Sequence, residues 1–211
     1  MKHSCSGVIL AGGLSTRYRG ENKAFLRVGG MRILDRLFAV YTEIFDEIIL
    51  VTNNPMEFLE WDAMIVTDLF PLRSSLTGIH AGLFYSSHPF AFFSACDAPF
   101  LKKEMVETVL EHIDPAADFV IPEVSAGLEP LCAAYSRRCL KPAEDHLRVN
   151  KFKIQLALKN CRIKKIPEER LREKDPDLVS FFNVNTPEDL ARAEQIVKSA
   201  MKAEAAWTSP E

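Results

Sequence analysis

Short apolar runs that alternate with longer amphipathic stretches constrain this chain more than anything else in it. Ile33, Leu34, Leu37, Phe38, Tyr41, Ile44 and Phe45 recur at helical spacing, so one face of a helix there must be covered. On either side lie runs too short for a helix, Gly7 to Leu10 and Glu47 to Val51, and Met64 to Thr67 and Phe90 to Ala95 follow. Buried strands separated by covering helices predict an α/β fold with a mostly parallel sheet and helices on both faces. Thr77 to Ser86 and Lys102 to His112 read as further helices. Asp118 to Ile121, Pro130 to Tyr135, Cys161 to Ile166 and Val179 to Phe182 read as further strands. Thr186 is expected to cap a last helix, with Pro187 at its first position and Glu188 and Asp189 complementing its positive end. Nothing marks a linker, so residues 1–203 are expected to form one domain and residues 204–211 a flexible tail.

Composition narrows the function classes. The 211 residues are 47% hydrophobic and 26% charged, enough to bury a substantial core without staples. A net charge of −3 supplies no global basic field, so neither nucleic acid nor an anionic membrane is an expected partner. Cys5, Cys96, Cys132, Cys139 and Cys161 are scattered with no Cys-x-x-Cys pair, which fits reduced thiols rather than a disulfide framework. Val8 to Ala11 is too short for a signal-peptide core, and no apolar run is long enough to cross a bilayer. The expected setting is cytoplasmic. His80, His88, His112 and His146 read as ordinary surface or half-buried residues. Lys151, Lys153, Lys159, Arg162, Lys164 and Lys165 make the second half locally basic, either as a solvated face or as a dock for an anionic ligand.

Chemistry concentrates just after the first strand. Leu10-Ala11-Gly12-Gly13 runs directly into Arg17, Arg19, Gly20 and Lys23. Paired glycines let a backbone turn tightly and bring its N–H groups close to a ligand, and the cations can meet polyphosphate oxygens. The spacing is neither that of a Walker A loop nor Gly-x-Gly-x-x-Gly. On pattern alone a surface turn with solvated charges is as good a reading. Asp97 follows the apolar run Phe90 to Ala95, which would bring it out at the carboxyl end of a buried strand, where open α/β sheets bind ligands. Asp68 follows an apolar strand in the same way. Asn183 and Asn185 flank Val184, so an extended segment would point both to one face.

Leu10-Ala11-Gly12-Gly13 with Arg17, Gly20 and Lys23 resembles the signature of sugar-nucleotide-type nucleotidyltransferases. With Ser94 to Leu101, Glu129-Pro130-Leu131 and Asn183-Val184-Asn185-Thr186-Pro187-Glu188-Asp189-Leu190, the chain from about Val8 to Leu190 resembles the molybdenum cofactor guanylyltransferases, the MobA type. The resemblance implies a Rossmann-like, nucleotide-diphospho-sugar-transferase-like fold. It implies transfer of GMP from GTP to molybdenum-loaded molybdopterin, dependence on Mg²⁺, and other cofactor-biosynthesis or delivery proteins as further partners. By matching position, Leu10, Ala11, Gly12, Gly13, Asn53 and Asp68 would bind the nucleotide. Arg17, Lys23 and Asp97 would be catalytic, with Lys23 on phosphate and Asp97 on the metal, and Asn183 and Asn185 would border the acceptor. Two positions depart from the family pattern, since Arg19 stands where glycine is common and Asn22 where aspartate is. A sister enzyme that uses CTP or a sugar or polyol phosphate acceptor, and an adaptor that kept the fold but lost turnover, are the competing readings.

Overall fold

The computed structural model describes residues 4–12 and 22–207, with side chains to residue 202. Its framework is one eight-stranded sheet. Strands β1 (Ser6–Leu10), β4 (Ile48–Val51), β5 (Met64–Val66), β6 (Phe90–Ala95), β7 (Phe119–Val124), β9 (Cys132–Ser136) and β10 (Ile163–Pro167) lie in the order β10-β7-β9-β6-β1-β4-β5. The short β8 (Gly127–Leu128) hangs on β7. From β6 to β5 every pairing is parallel, as is β10 with β7; β9 runs antiparallel to both its neighbours. The sheet is mostly parallel, as the alternation of apolar runs predicts.

Each central strand feeds two cores because successive side chains point to opposite faces. Ile9 and Phe92 pack on one face with helices α1 (Ile33–Ile44) and α3 (Lys103–Glu111); Val8 and Phe93 pack on the other with α2 (Ser75–Tyr85) and α4 (Leu140–Arg148). Close approach of α2 to the sheet depends on Gly82, where an added Cβ would come within 2.6 Å of Phe93 Cε1 and 2.7 Å of Val8 Cγ1. The helix is buried on nearly every side, and His80 within it is only 6% exposed. That corrects the reading of His80 as a surface or half-buried residue: it packs edge-on against Phe70 at 5.1 Å, and burial holds its pKa below the ordinary value.

Several elements were not legible as written above. A small hairpin, β2 (Arg27–Val28) and β3 (Met31–Arg32), turns on Gly29 and Gly30 at φ +58° and +81°, the left-handed pair that a two-residue primed turn requires. Val179 to Phe182, expected as a strand, contains instead a 3₁₀ turn over Val179–Phe181. The cause is local. Leu178 takes φ +52°, and the buried Asp175 carboxylate accepts the Ser180 N–H at 2.8 Å, so the segment curls around that carboxylate rather than extending. Lys102 Nζ, 2.8 Å from Asp175 Oδ1, ties the same turn to the start of α3. The last helix, α7 (Pro187–Trp207), begins as predicted: Thr186 Oγ1 accepts the Asp189 N–H at 3.2 Å, and Asp189 Oδ2 accepts the Thr186 N–H at 2.9 Å. Short helices α5 (Ile154–Ala157) and α6 (Glu168–Arg172) complete the chain. Among the described residues no helix is long and apolar enough to cross a membrane.

Candidate active site

Four adjacent parallel strands end side by side, and the residues just past them carry the chemistry. Leu10 closes β1; Asn53 follows β4, Asp68 follows β5 and Asp97 follows β6. Ala11 N donates to Val51 O at 2.8 Å and Cys96 N donates to Leu10 O at 3.0 Å, so the backbone at Leu10 and Ala11 is fixed between its neighbours. A cleft of about 300 Å³ opens there, lined by Leu10, Gly12, Lys23, Asp68, Arg73 and Asp97 among others. Ala11 is buried behind it. Gly13 and Arg17, and with them Arg19 and Gly20, lie outside the described residues.

Asn22 reaches its side-chain oxygen to the Ala24 N–H at 3.1 Å and so caps a 3₁₀ turn, Lys23–Phe25. The amide thus serves as the acceptor an aspartate would offer at that position. The turn aims Lys23 inward. Its Nζ lies 3.2 Å from Asp97 Oδ2 and 2.7 Å from Asn185 Oδ1. Asn185 is brought there because Val184 N donates to Asp97 O at 2.8 Å, laying the 183–185 segment against the end of β6. Its backbone N–H goes to Asp189 Oδ2 at 3.0 Å, which leaves the side chain free for Lys23 rather than for capping α7.

A second cleft of about 330 Å³ adjoins the first, with Asn183, Asn185 and Glu129 on its lining. Ser75, Asp97 and Leu131 line both clefts, so Lys23, Asp97 and Asn185 stand at the junction. Neither Lys151 nor Lys153 lines either cleft.

Asp68 lines the first cleft, and Asn53, which is not on its lining, stands behind it as a partner. Asn53 Nδ2 donates to Asp68 Oδ2 at 2.9 Å. Burial raises the Asp68 pKa above the ordinary aspartate value, and the Asn53 hydrogen bond and the Arg73 charge offset only part of that. Cys96 also lines this cleft, but burial pushes its thiol up to about 12, which disfavours a thiolate nucleophile near neutrality. Among the described residues no three His, Cys, Asp or Glu side chains gather as a metal cage. The hard-oxygen donors at the junction suit a cation that takes one or two carboxylates and completes its shell with substrate oxygens.

Sequence reading missed Arg73, Ser74 and Ser75, at the start of α2 on the first cleft. The signal was present: Ser74 and Thr77 form a reciprocal capping box, a spacing readable directly from the chain. It also gave Glu129 no role of its own.

An open sheet with its ligand clefts at the strand carboxyl ends, and a lysine–aspartate pair where they meet, is the architecture of an α/β nucleotide-handling transferase. Residues 7–157 match the family model described as the MobA-like NTP transferase domain. A molybdenum cofactor guanylyltransferase from Desulfosudis oleivorans is 46% identical over 92% of this chain and 96% of its own. A probable molybdenum cofactor guanylyltransferase from Natranaerobius thermophilus is 35% identical over 92% and 96% respectively. Among solved structures, molybdopterin-guanine dinucleotide biosynthesis protein A from Archaeoglobus fulgidus superposes with a TM-score of 0.82 at 29% identity, covering 92% of this chain and 99% of that one. The 2-C-methyl-D-erythritol 4-phosphate cytidylyltransferase from Thermus thermophilus shares the fold at a TM-score of 0.70 and 17% identity, over 94% of this chain and 100% of that one. The chain belongs to the MobA-like NTP transferase family and is a nucleotidyltransferase.

Proposed function

We propose that this chain transfers GMP from GTP to molybdenum-loaded molybdopterin, releasing pyrophosphate and forming the guanine dinucleotide cofactor. The observation that carries the reading is the position of Lys23, bound to Asp97 and Asn185 where the two clefts adjoin. It is supported by the names of the relatives that the chain matches over nearly its full length.

GTP occupies the first cleft in this reading. A carboxylate at Asp68 accepts the N1–H and 2-amino group of guanine together, a paired acceptor that cytosine does not match. Backbone groups of Leu10, Ala11 and Gly12 border the phosphates, and Gly13 and Arg17, which follow in sequence, are assigned to the same task. Acceptor and donor are both anionic, so the tasks at the junction are charge neutralisation and alignment. Lys23 supplies a point charge there. Asp97 would hold a Mg²⁺ ion of the kind that takes one or two protein carboxylates, and the ion would supply further neutralisation of the phosphate charge. An oxygen of the acceptor phosphate attacks the α-phosphorus of GTP. A new P–O bond forms as the bond to the bridging oxygen breaks, and pyrophosphate leaves with that electron pair. No general base is required, because the attacking phosphate is already ionised. Asn183 and Asn185 border the acceptor without adding negative charge.

The test is label transfer from nucleotide triphosphates carrying ³²P at the α position. With loaded molybdopterin, label from GTP is expected in the pterin product and label from CTP is not. Transfer from CTP alone would assign the chain to a cytidylyl sister activity, and transfer from neither would leave it a non-catalytic member of the family.

A further inference from the structure

Electrostatics of the second cleft are at odds with a pocket for phosphate. Its lining contains no lysine or arginine but two carboxylates, Asp97 and Glu129. Asp97 is met by Lys23 at 3.2 Å. Among the described residues nothing forms a hydrogen bond or ion pair with the Glu129 carboxylate, although it is only partly exposed and burial raises its pKa above the ordinary glutamate value. A partly desolvated carboxylate with no protein partner among the described residues keeps acceptor capacity for a ligand's donors.

The backbone holds that residue in place independently of its side chain. Glu129 N donates to Pro122 O at 3.1 Å, Cys132 N donates to Glu129 O at 3.1 Å, and Tyr135 Oη donates to Pro130 O at 2.8 Å. Leu101, Leu131 and Phe181 add apolar wall around it. A cavity of about 330 Å³ with apolar walls, neutral amides and one unmatched carboxylate suits a flat, uncharged heterocycle that presents adjacent N–H donors.

We infer that Glu129 is a specificity-determining residue that binds the 2-amino-4-oxo pyrimidine edge of the pterin, accepting its N3–H and 2-amino N–H together. This rests on the proposed acceptor and adds what the cleft selects in it: the ring in the second cleft, the phosphate at the Lys23–Asp97 junction. A guanine ring offers the same pair of donors, so the first cleft must be filled before the second is probed.

The test uses the full chain saturated with GTP and two neutral probes, 6-hydroxymethylpterin and 6-hydroxymethyllumazine, with affinity read from probe fluorescence. Lumazine carries an oxygen in place of the 2-amino group and so sets an acceptor against the carboxylate. Wild type is expected to favour the pterin by about tenfold or more, because a site built for a donor is left unmatched without it. Glu129→Gln presents one acceptor and one donor, which complement lumazine, so the preference should vanish or invert, with GTP affinity unchanged and the thermal midpoint no lower than that of wild type. Equal binding of both probes by wild type, or an unchanged preference in E129Q, overturns the inference. If such a wild type still transfers GMP to molybdopterin, the proposed function survives and only the role of Glu129 falls. A wild type that binds neither GTP nor the pterin overturns both.

Discussion

Asp68 is costly for the fold, and in the proposed reading that cost serves guanine recognition. Its pKa is raised by burial, so it holds its proton more tightly folded than unfolded. The sign follows: its contribution to stability is favourable at low pH and is lost as pH rises through the folded value. Asp68→Asn should therefore raise the thermal midpoint of the nucleotide-free protein near neutrality while weakening GTP binding by about tenfold or more. In the proposed reading binding uses the ionised form, so a titration of GTP affinity should fall on acidification at a pH above the ordinary aspartate value of about 3.9. Asn53→Ala removes a bond that favours the ionised form and should move that midpoint higher still; an unmoved midpoint would detach Asn53 from Asp68. Asp97 and Lys23 were legible in the sequence because a strand end and a glycine-rich loop mark their places. Their contact was not, since 74 positions separate them and only the sheet order brings β6 beside β1.

At the scale of elements, Asp118 ties three strands together. Its carboxylate accepts from Arg162 N at 2.8 Å, Arg162 Nη2 at 2.9 Å and Arg138 Nε at 2.5 Å, which joins the start of β7 to the approach of β10 and the exit of β9. Those bonds, Arg162 first, hold its pKa well below the ordinary range. A depressed carboxyl contributes stability that is present above the unfolded value and lost as pH falls through the folded one. Both arginines are substantially exposed, so the contribution is discounted to about 1–2 kcal/mol. Asp118→Asn should lower unfolding free energy by about that much at neutral pH and flatten the acid limb of the stability curve; equal loss at pH 7 and at strongly acid pH would contradict it. The basic stretch containing Arg162 thus serves structure at that residue. Element reading succeeded where period and length agreed, as in β6 and α1. It failed where a side chain overrode the apolar pattern, as where the Asp175 carboxylate turns Val179–Phe181 into a 3₁₀ turn. Two-residue strands such as β2 and β3 carry too little pattern to register, and the antiparallel direction of β9 leaves no trace in periodicity.

In the whole molecule, four adjacent parallel strands of a mixed sheet end side by side and so bring together residues spread between Leu10 and Asn185. In the proposed reading labour is divided across the adjoining clefts, with nucleotide on one side and acceptor on the other, and the Lys23–Asp97 pair stands between them. A group needed only at the junction should matter for transfer more than for holding either substrate. The most direct measurement is single-turnover pyrophosphate release with GTP, Mg²⁺ and loaded molybdopterin, comparing wild type with Asp97→Asn. Wild type should release one pyrophosphate for each GMP transferred. Asp97→Asn should fold normally and bind GTP within a few fold of wild type, yet release pyrophosphate about a hundredfold or more slowly. A variant with wild-type release would remove Asp97 from the chemistry and, with it, the junction at which the two clefts are held to react.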